Sequence, residues 1–289
     1  MEIAVISGKG GTGKSSISAA FATLNEKVVL ADCDVDAANL YILFNPSNDY
    51  EEKYIGGMKA KIDYHICTNY GLCGIFCRFD AISYVDYKIS ISETSCDGCM
   101  LCSRICKVKA ITMVKNDKSR LHAGSFRNGE MVYGRLAPGE ENSGKLVNKV
   151  RDKAKRIAKD HNLKNIIIDG PPGIGCPVIS TITGVDHVVI VTEPSISGLH
   201  DLKRTIEITS KFKLNIWVII NKSDLNTNLS YQIEQYCETT GIPVLGKIPF
   251  DAQVVEAMVN CKSIVEWAPE SESSVLLKQI YLKITNGQK

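Results

Sequence analysis

The segment that most restricts the fold is "GKGGTGKSS", Gly8 to Ser16, set between the apolar run "EIAVI" (2–6) and "SISAAFATL", a stretch suited to a helix. It matches G-x-x-x-x-G-K-[ST] with Gly8, Gly13, Lys14 and Ser15. Glycines let successive backbone N–H groups curl into an anion nest, and the helix that follows adds the positive end of its dipole. The pattern therefore predicts a strand, a phosphate-binding loop and a helix in that order. Gly8, Gly10, Gly11, Thr12, Gly13 and Ser16 would cradle a nucleotide. Lys14 would reach its β- and γ-phosphates, and the Ser15 hydroxyl would ligate Mg²⁺.

Further β-branched runs repeat this rhythm: "KVVLA" (27–31), "NIIID" (165–169), "HVVIVT" (187–192), "NIWVII" (215–220) and "VLGKI" (244–248). Apolar residues at consecutive positions suit parallel strands buried on both faces. Strands alternating with helical stretches then predict an α/β fold with a mostly parallel sheet flanked by helices. Residues 59–115 interrupt the alternation with clustered cysteines and short strand signals, so they read as an insertion between 1–58 and 116–289. The basic run "NKVRDKAKRIAKDH" (148–161) predicts a helix with a solvated charged face.

The extra lysine, Lys9, narrows the class. "KGGTGKS" resembles the deviant phosphate loop of the MinD/ParA/Mrp and nitrogenase iron-protein superfamily. That resemblance implies a nucleotide-dependent homodimer in which Lys9 crosses the interface to the partner's nucleotide, as an arginine finger does. "VVLADCDVDAANL" (28–40) looks like the family's first switch, with Asp34 at the position that orients the attacking water and Asp32 and Asp36 as helpers. "IIIDGPPG" (166–173) places Asp169 at a strand end, where a carboxylate holds Mg²⁺ through water. In "IINKSDL" (219–225) Asn221 resembles the family's adenine-reading asparagine. N-K-x-D by itself would suggest guanine, so ATP is favoured and GTP stays open.

Seven of the eleven cysteines fall between Cys67 and Cys106. Cys96, Cys99, Cys102 and Cys106 have the spacing C-x2-C-x2-C-x3-C, the bacterial ferredoxin run whose fourth cysteine serves the other cluster of a pair. Tetrahedral thiolate ligation of zinc is the alternative for the same side chains. Shifting this run back by 29 residues lays Cys96, Cys102 and Cys106 on Cys67, Cys73 and Cys77, and Cys99 on Tyr70. The crossing rule predicts one complete set, Cys77, Cys96, Cys99 and Cys102, for a [4Fe–4S] cluster. It predicts an incomplete set, Cys67, Cys73 and Cys106, with Tyr70 in the fourth position and its bulk where the fourth iron would sit. That site would hold a [3Fe–4S] or labile [4Fe–4S] cluster. Cys33, Cys237 and Cys261 read as core residues, and Cys176 as a small hydrophobe or an interface ligand.

Together the loop and the insertion resemble MinD-superfamily ATPases that carry an inserted α+β ferredoxin-like domain. "PGEENSGKLV" (138–147) recurs in those proteins. The resemblance implies an ATPase whose nucleotide state gates electron transfer through the clusters to an unknown acceptor. An iron–sulfur carrier or scaffold, and a partitioning-type ATPase with a redox-sensing unit, are the alternatives. Lys+Arg 34 against Asp+Glu 32 leaves no electrostatic footprint of a nucleic-acid binder. "MEIAVI" runs straight into the loop without a secretory leader, and "VLLKQIYLKI" (275–284) lacks the single charged face of a membrane-surface helix. A cytoplasmic protein without membrane attachment is expected.

Overall fold

A computed structural model describes residues 1–141 and 144–287. The chain divides into two compact units, one of Met1–Glu51, Leu121–Gly134 and Ser143–Lys289, the other of Glu52–Arg120 and Arg135–Asn142. In chain order the elements begin with β1 (Glu2–Ser7), α1 (Lys14–Thr23), β2 (Val28–Asp32), α2 (Leu40–Phe44), β3 (Tyr50–Tyr54) and β4 (Met58–Ile62). Next come α3 (Leu72–Ile75), β5 (Ile82–Val85), β6 (Lys88–Ile91), α4 (Leu101–Ile105), β7 (Ile111–Lys115), β8 (Ser119–Phe126) and β9 (Gly129–Arg135). The chain continues with α5 (Lys145–Asp160), β10 (Ile166–Pro172), α6 (Cys176–Ile182), β11 (His187–Thr192), α7 (Ile196–Thr209) and β12 (Asn215–Asn221). It ends with α8 (Thr227–Thr239), β13 (Val244–Ile248), α9 (Gln253–Val259), α10 (Ile264–Trp267) and α11 (Glu272–Thr285).

Among the described residues the main sheet has nine strands in the order β13-β12-β11-β1-β10-β2-β9-β8-β3. Every pairing from β13 through to β9 is parallel. Ile3, Val5, Leu30, Ile167, Val189 and Ile219 share one core with Ile17 and Phe21 of α1 and Leu277 and Ile280 of α11. Ala4, Ile6, Ile168 and Ile190, of opposite parity, are equally buried, so both faces of the sheet are covered. This is why the central strands read as unbroken apolar runs.

Several features depart from the expectations above. Cys176, expected as a small buried hydrophobe or an interface ligand, is exposed at the start of α6. The sheet extends past β2 through β9, β8 and β3, whose polar, half-buried residues gave no continuous apolar signal. Cys261 is exposed rather than buried, because it sits in a turn at positive φ just beyond α9. In α5 the charged face is not wholly solvated. Arg151 is buried and donates to the carbonyls of Ser180 and Thr183 (both 2.7 Å) and to Glu2 (2.9 Å). Among the described residues no helix is long and apolar enough to cross a membrane.

The second unit repeats itself. The order β4-α3-β5 recurs as β6-α4-β7, and the halves exchange strands: β4 pairs antiparallel with β7, and β5 with β6. Backbone conformation follows the same shift of 29, with positive φ at Asn69 and Gly98, at Gly71 and Met100, and at Asp80 and Lys109. Equivalent bonds close the two halves, Asp63 N–H to Ala110 O and Ser92 N–H to Ala81 O, each 2.8 Å. Ala60, Ile62, Ala81, Ile89, Ala110 and Ile111 form its small core together with Cys73, Cys96 and Cys106. The unit extends beyond 59–115 at both ends and includes part of 138–147; Asn142 and Ser143 of that stretch lie outside the described residues.

Candidate functional site

β1 ends at Ser7 and α1 begins at Lys14, so Gly8 to Gly13 form the loop at the carboxyl edge of the central strand. Such an edge is where open parallel sheets bind ligands. Gly13 caps the helix with φ 92°, and a Cβ there would run into the Asn221 amide. Only glycine meets both demands. Ser7, Gly10, Gly11, Thr12, Gly13, Lys14, Ser15, Ser16, Asp34 and Asp36 line a cleft of about 540 Å³, within the size range of small-molecule sites.

Lys14 lies almost wholly buried among three carboxylates. Its Nζ donates to Asp169 Oδ1 at 3.1 Å and lies 3.6 Å from Asp34 Oδ2. Burial works against its charge, but Asp169, Asp34 and Asp32 outweigh burial and hold the ammonium above the ordinary lysine range. Asp169 also accepts from Ser15 Oγ (2.7 Å) and from Ser18 Oγ (2.8 Å). One hydroxyl and one carboxylate beside a phosphate loop form an all-oxygen donor pair that suits a hard cation such as Mg²⁺. Ser18 escaped the motif reading, although it stands one helical turn after Lys14.

Asp32 is fully buried and accepts the N–H groups of Asp34, Asn39 and Leu40, each at 3.2 Å. Burial first and the neighbouring Asp169 second push its carboxyl up to about 8, against Lys14 and the Leu40 N–H. Asp34 is raised by burial, with Lys14 opposing. The folded value of Asp32 lies above the unfolded value near ~3.9, so neutral Asp32 contributes stability that is complete at low pH. That contribution is lost as pH climbs through about 8. Thermal unfolding of the nucleotide-free protein should therefore occur at lower temperature as pH is raised from about 5 to about 9. Asp32→Asn should flatten that slope; an unchanged slope would place the titration elsewhere.

Lys9 is held within its own chain. Its Nζ lies 2.7 Å from Glu193 Oε1 and donates to Ser195 and Ser197 hydroxyls at 3.0 Å. Glu193 also accepts from Lys222 (3.2 Å), which donates to Gly11 O (2.9 Å). Against its own burial, hydrogen bonds from both lysines hold Glu193 below the usual carboxylate range. Lys222 is the lysine of N-K-x-D, whereas Glu193 belongs to no motif, although it follows β11 at the carboxyl edge beside the loop. Asn221 donates to Thr12 O at 2.8 Å, joining the end of β12 to the loop. An adjoining slot of about 190 Å³ runs from Gly11, Gly13 and Asn221 past Ile17, Pro249 and Phe250, a mostly apolar recess that Lys222 and Asp251 also line.

In the second unit Cys77, Cys96, Cys99 and Cys102 line one small cavity with Ala60, Ile82, Ile91 and Met113. Burial first, then the neighbouring thiols of Cys96, Cys99 and Cys73, push Cys102 up to about 11. Cys73 is raised by burial and by Cys67 and Cys106, against backbone N–H groups. The Ala110 N–H donates to Cys106 Sγ at 3.3 Å. Among the described residues no three His, Cys, Asp or Glu side chains converge as they would around a single metal ion. Tyr70 does not reach into the incomplete set through its hydroxyl. That hydroxyl accepts from Lys107 N (2.8 Å) and donates to Ile105 O (3.3 Å), gripping the backbone on both sides of Cys106.

A central parallel strand, a glycine loop, a helix-borne lysine and strand-end carboxylates define a phosphate-loop nucleotide-binding protein. The family model of the CobQ/CobB/MinD/ParA nucleotide binding domain matches residues 3–264, and the chain belongs to that family. It is 35% identical over 290 residues to an uncharacterized protein of Methanocaldococcus jannaschii, covering 98% of this chain and 96% of that one. An uncharacterized ATP-binding protein of the same organism is 27% identical, covering 99% and 88%. The fold is similar to the cell division ATPase MinD of Pyrococcus furiosus, with TM-score 0.60, 18% identity, and 99% and 98% of the two chains covered. MinD of Pyrococcus horikoshii, solved with Mg-ADP, gives 0.59 at 19% identity over 98% and 95%.

Proposed function

We propose that this protein binds and hydrolyses ATP as a homodimer, and that its nucleotide state gates electron transfer through iron–sulfur clusters in the second unit. The observation that carries the proposal is the gathering of Cys77, Cys96, Cys99 and Cys102 around one cavity in a chain that belongs to a nucleotide-binding family. In this reading the second unit is a ferredoxin-like domain inserted in the ATPase domain. Its strand-exchanged halves and their shared shift of 29 residues support that assignment.

In the ATPase unit Lys14 holds the β- and γ-phosphates, Ser15 and Asp169 hold Mg²⁺, Asp34 orients water and Asn221 meets adenine. The metal, when bound, neutralises charge that develops on the phosphates. Lys9 leaves Glu193 and reaches the partner's nucleotide. Glu193, freed, keeps Lys222 on the loop. The clusters, when bound, store one electron each, and the acceptor is an unidentified redox protein.

Coupling is tested on anaerobically reconstituted protein by measuring cluster potential and chelator access with ADP and with a non-hydrolysable ATP analogue. Allosteric couplings are typically about 1–3 kcal/mol. A tenfold effect on a one-electron couple is about 59 mV. A shift of that order between nucleotides is expected. Equal potentials and equal chelation rates in both states would reduce the second unit to a tethered module.

A partitioning-type ATPase with a redox-sensing unit is the second reading, since the cell division ATPase MinD and a ParA family ATPase share this fold. It requires nucleotide-dependent binding to DNA or anionic vesicles, which a co-sedimentation assay resolves.

A further inference from the structure

Lys59, in β4, is a buried lysine with no carboxylate at ion-pair distance among the described residues; 7% of it is exposed. Its ammonium donates instead to two backbone carbonyls, Cys96 O at 2.6 Å and Gly139 O at 2.8 Å. Glu93, which Lys59 influences electrostatically, is exposed and pairs with Lys118. Buried charges are normally paired with an opposite charge, because carbonyl dipoles alone repay little of the lost hydration. The internal repeat sharpens the contrast. A shift of 29 residues lays Lys59 on Lys88, which is exposed. The molecule thus buries one cation beside one ligand loop, the loop that carries Cys96, and none at the equivalent place in the other half.

Gly139 belongs to "PGEENSGKLV" (138–147). At φ 75° it lies so close to Thr94 O that a Cβ would collide with it. Pro138 to Glu140 therefore pack against the turn before Cys96, and Lys59 joins the two. A purely structural clamp would need two hydrogen bonds but no charge.

We propose that Lys59 is the resident counter-charge of the cluster held by Cys77, Cys96, Cys99 and Cys102, and that it raises that cluster's reduction potential. This inference rests on the reading that the second unit holds clusters. A four-iron cluster with four thiolates carries two net negative charges when oxidised and three when reduced. One electron passes from a reductant such as dithionite to the cluster; no bond forms or breaks and no proton is taken up. A fixed buried cation favours the more negative state, because charge near a cluster is little screened by solvent.

The test compares Lys59→Gln, which keeps donors for both carbonyls without the charge, with Lys59→Arg, which keeps the charge, and with Lys59→Met. Iron and sulfide are counted first in the reconstituted full-length proteins, with nucleotide binding as the folding control. EPR-monitored redox titration follows. Lys59→Gln should shift the redox equilibrium about tenfold toward the oxidised cluster, about 59 mV lower for one electron. Lys59→Arg should stay within about threefold of the unmodified protein. Equal midpoints for Lys59→Gln and the unmodified protein would overturn the proposal and leave a backbone clamp. Loading of the arginine variant alone would show that the charge itself is required. Failure of all three variants to load would assign the role to clamp geometry and overturn it. Absence of iron and sulfide from the unmodified protein would remove the cluster reading before any variant is compared.

Discussion

Lys14→Ala should strongly weaken nucleotide binding, whereas Lys9→Ala should leave binding nearly intact and suppress turnover. The two lysines sit in different electrostatic settings. Lys14 is the cation enclosed by Asp169, Asp34 and Asp32, and it stands on the first turn of α1 under the phosphate loop. Removing it deletes a phosphate contact and leaves the Asp169 and Asp34 side chains facing an incoming polyanion. Truncating one partner of a buried, hydrogen-bonded charge pair costs about 2–5 kcal/mol, roughly thirty- to several-thousand-fold in affinity. Lys9 is part-exposed and tied to Glu193 and two serine hydroxyls, outside the buried acid cluster. A charge supplied in trans is worth about 10³–10⁵ in rate, so its loss should appear in kcat with the nucleotide Kd little changed. Fluorescent-nucleotide titration and phosphate release separate the two effects. Full ATPase activity in Lys9→Ala would refute the trans role and weaken the homodimer proposal with it.

The second large effect concerns iron content. Cys102→Ser should lower the iron of anaerobically reconstituted protein by about four atoms per chain. Cys102 lines the same cavity as Cys77, Cys96 and Cys99, and Cys96, Cys99 and Cys73 all raise its thiol electrostatically. Tyr70→Cys should act in the opposite sense. It supplies the missing thiolate and removes any three-iron EPR signal, which is paramagnetic when oxidised. The Tyr70 hydroxyl is already committed to Ile105 and Lys107, and a hard phenolic oxygen is a poorer partner for cluster iron than a thiolate. The substitution therefore exchanges a backbone grip on the Cys106 turn for a ligand. Two equally stable four-iron clusters in the unmodified protein would mean that the second set is completed by another group.

The phosphate loop, the six parallel strands and the internal repeat were legible in sequence because each is a local matter. A strand covered on both faces must be apolar at every position, a loop that cradles phosphate must be rich in glycine, and duplicated backbone turns require residues of the same kind at a constant offset. The repeat in the cysteines returns as paired positive-φ positions in the two halves. Tertiary structure decided what depends on residues far apart in the chain. It placed β9, β8 and β3 beside β2, where half-polar strands suffice because they lie at the sheet's margin. It set Glu193 between Lys9 and Lys222, and it enclosed Asp32 and Lys14 in one buried cluster of charge. Lys59 and Lys88 are the same residue type at equivalent positions of the repeat, yet only Lys59 is buried, with its ammonium held by the carbonyls of Cys96 and Gly139. Burial converts an ordinary surface lysine into a charge that must find a partner, and burial is a property of the assembled fold rather than of any window of sequence.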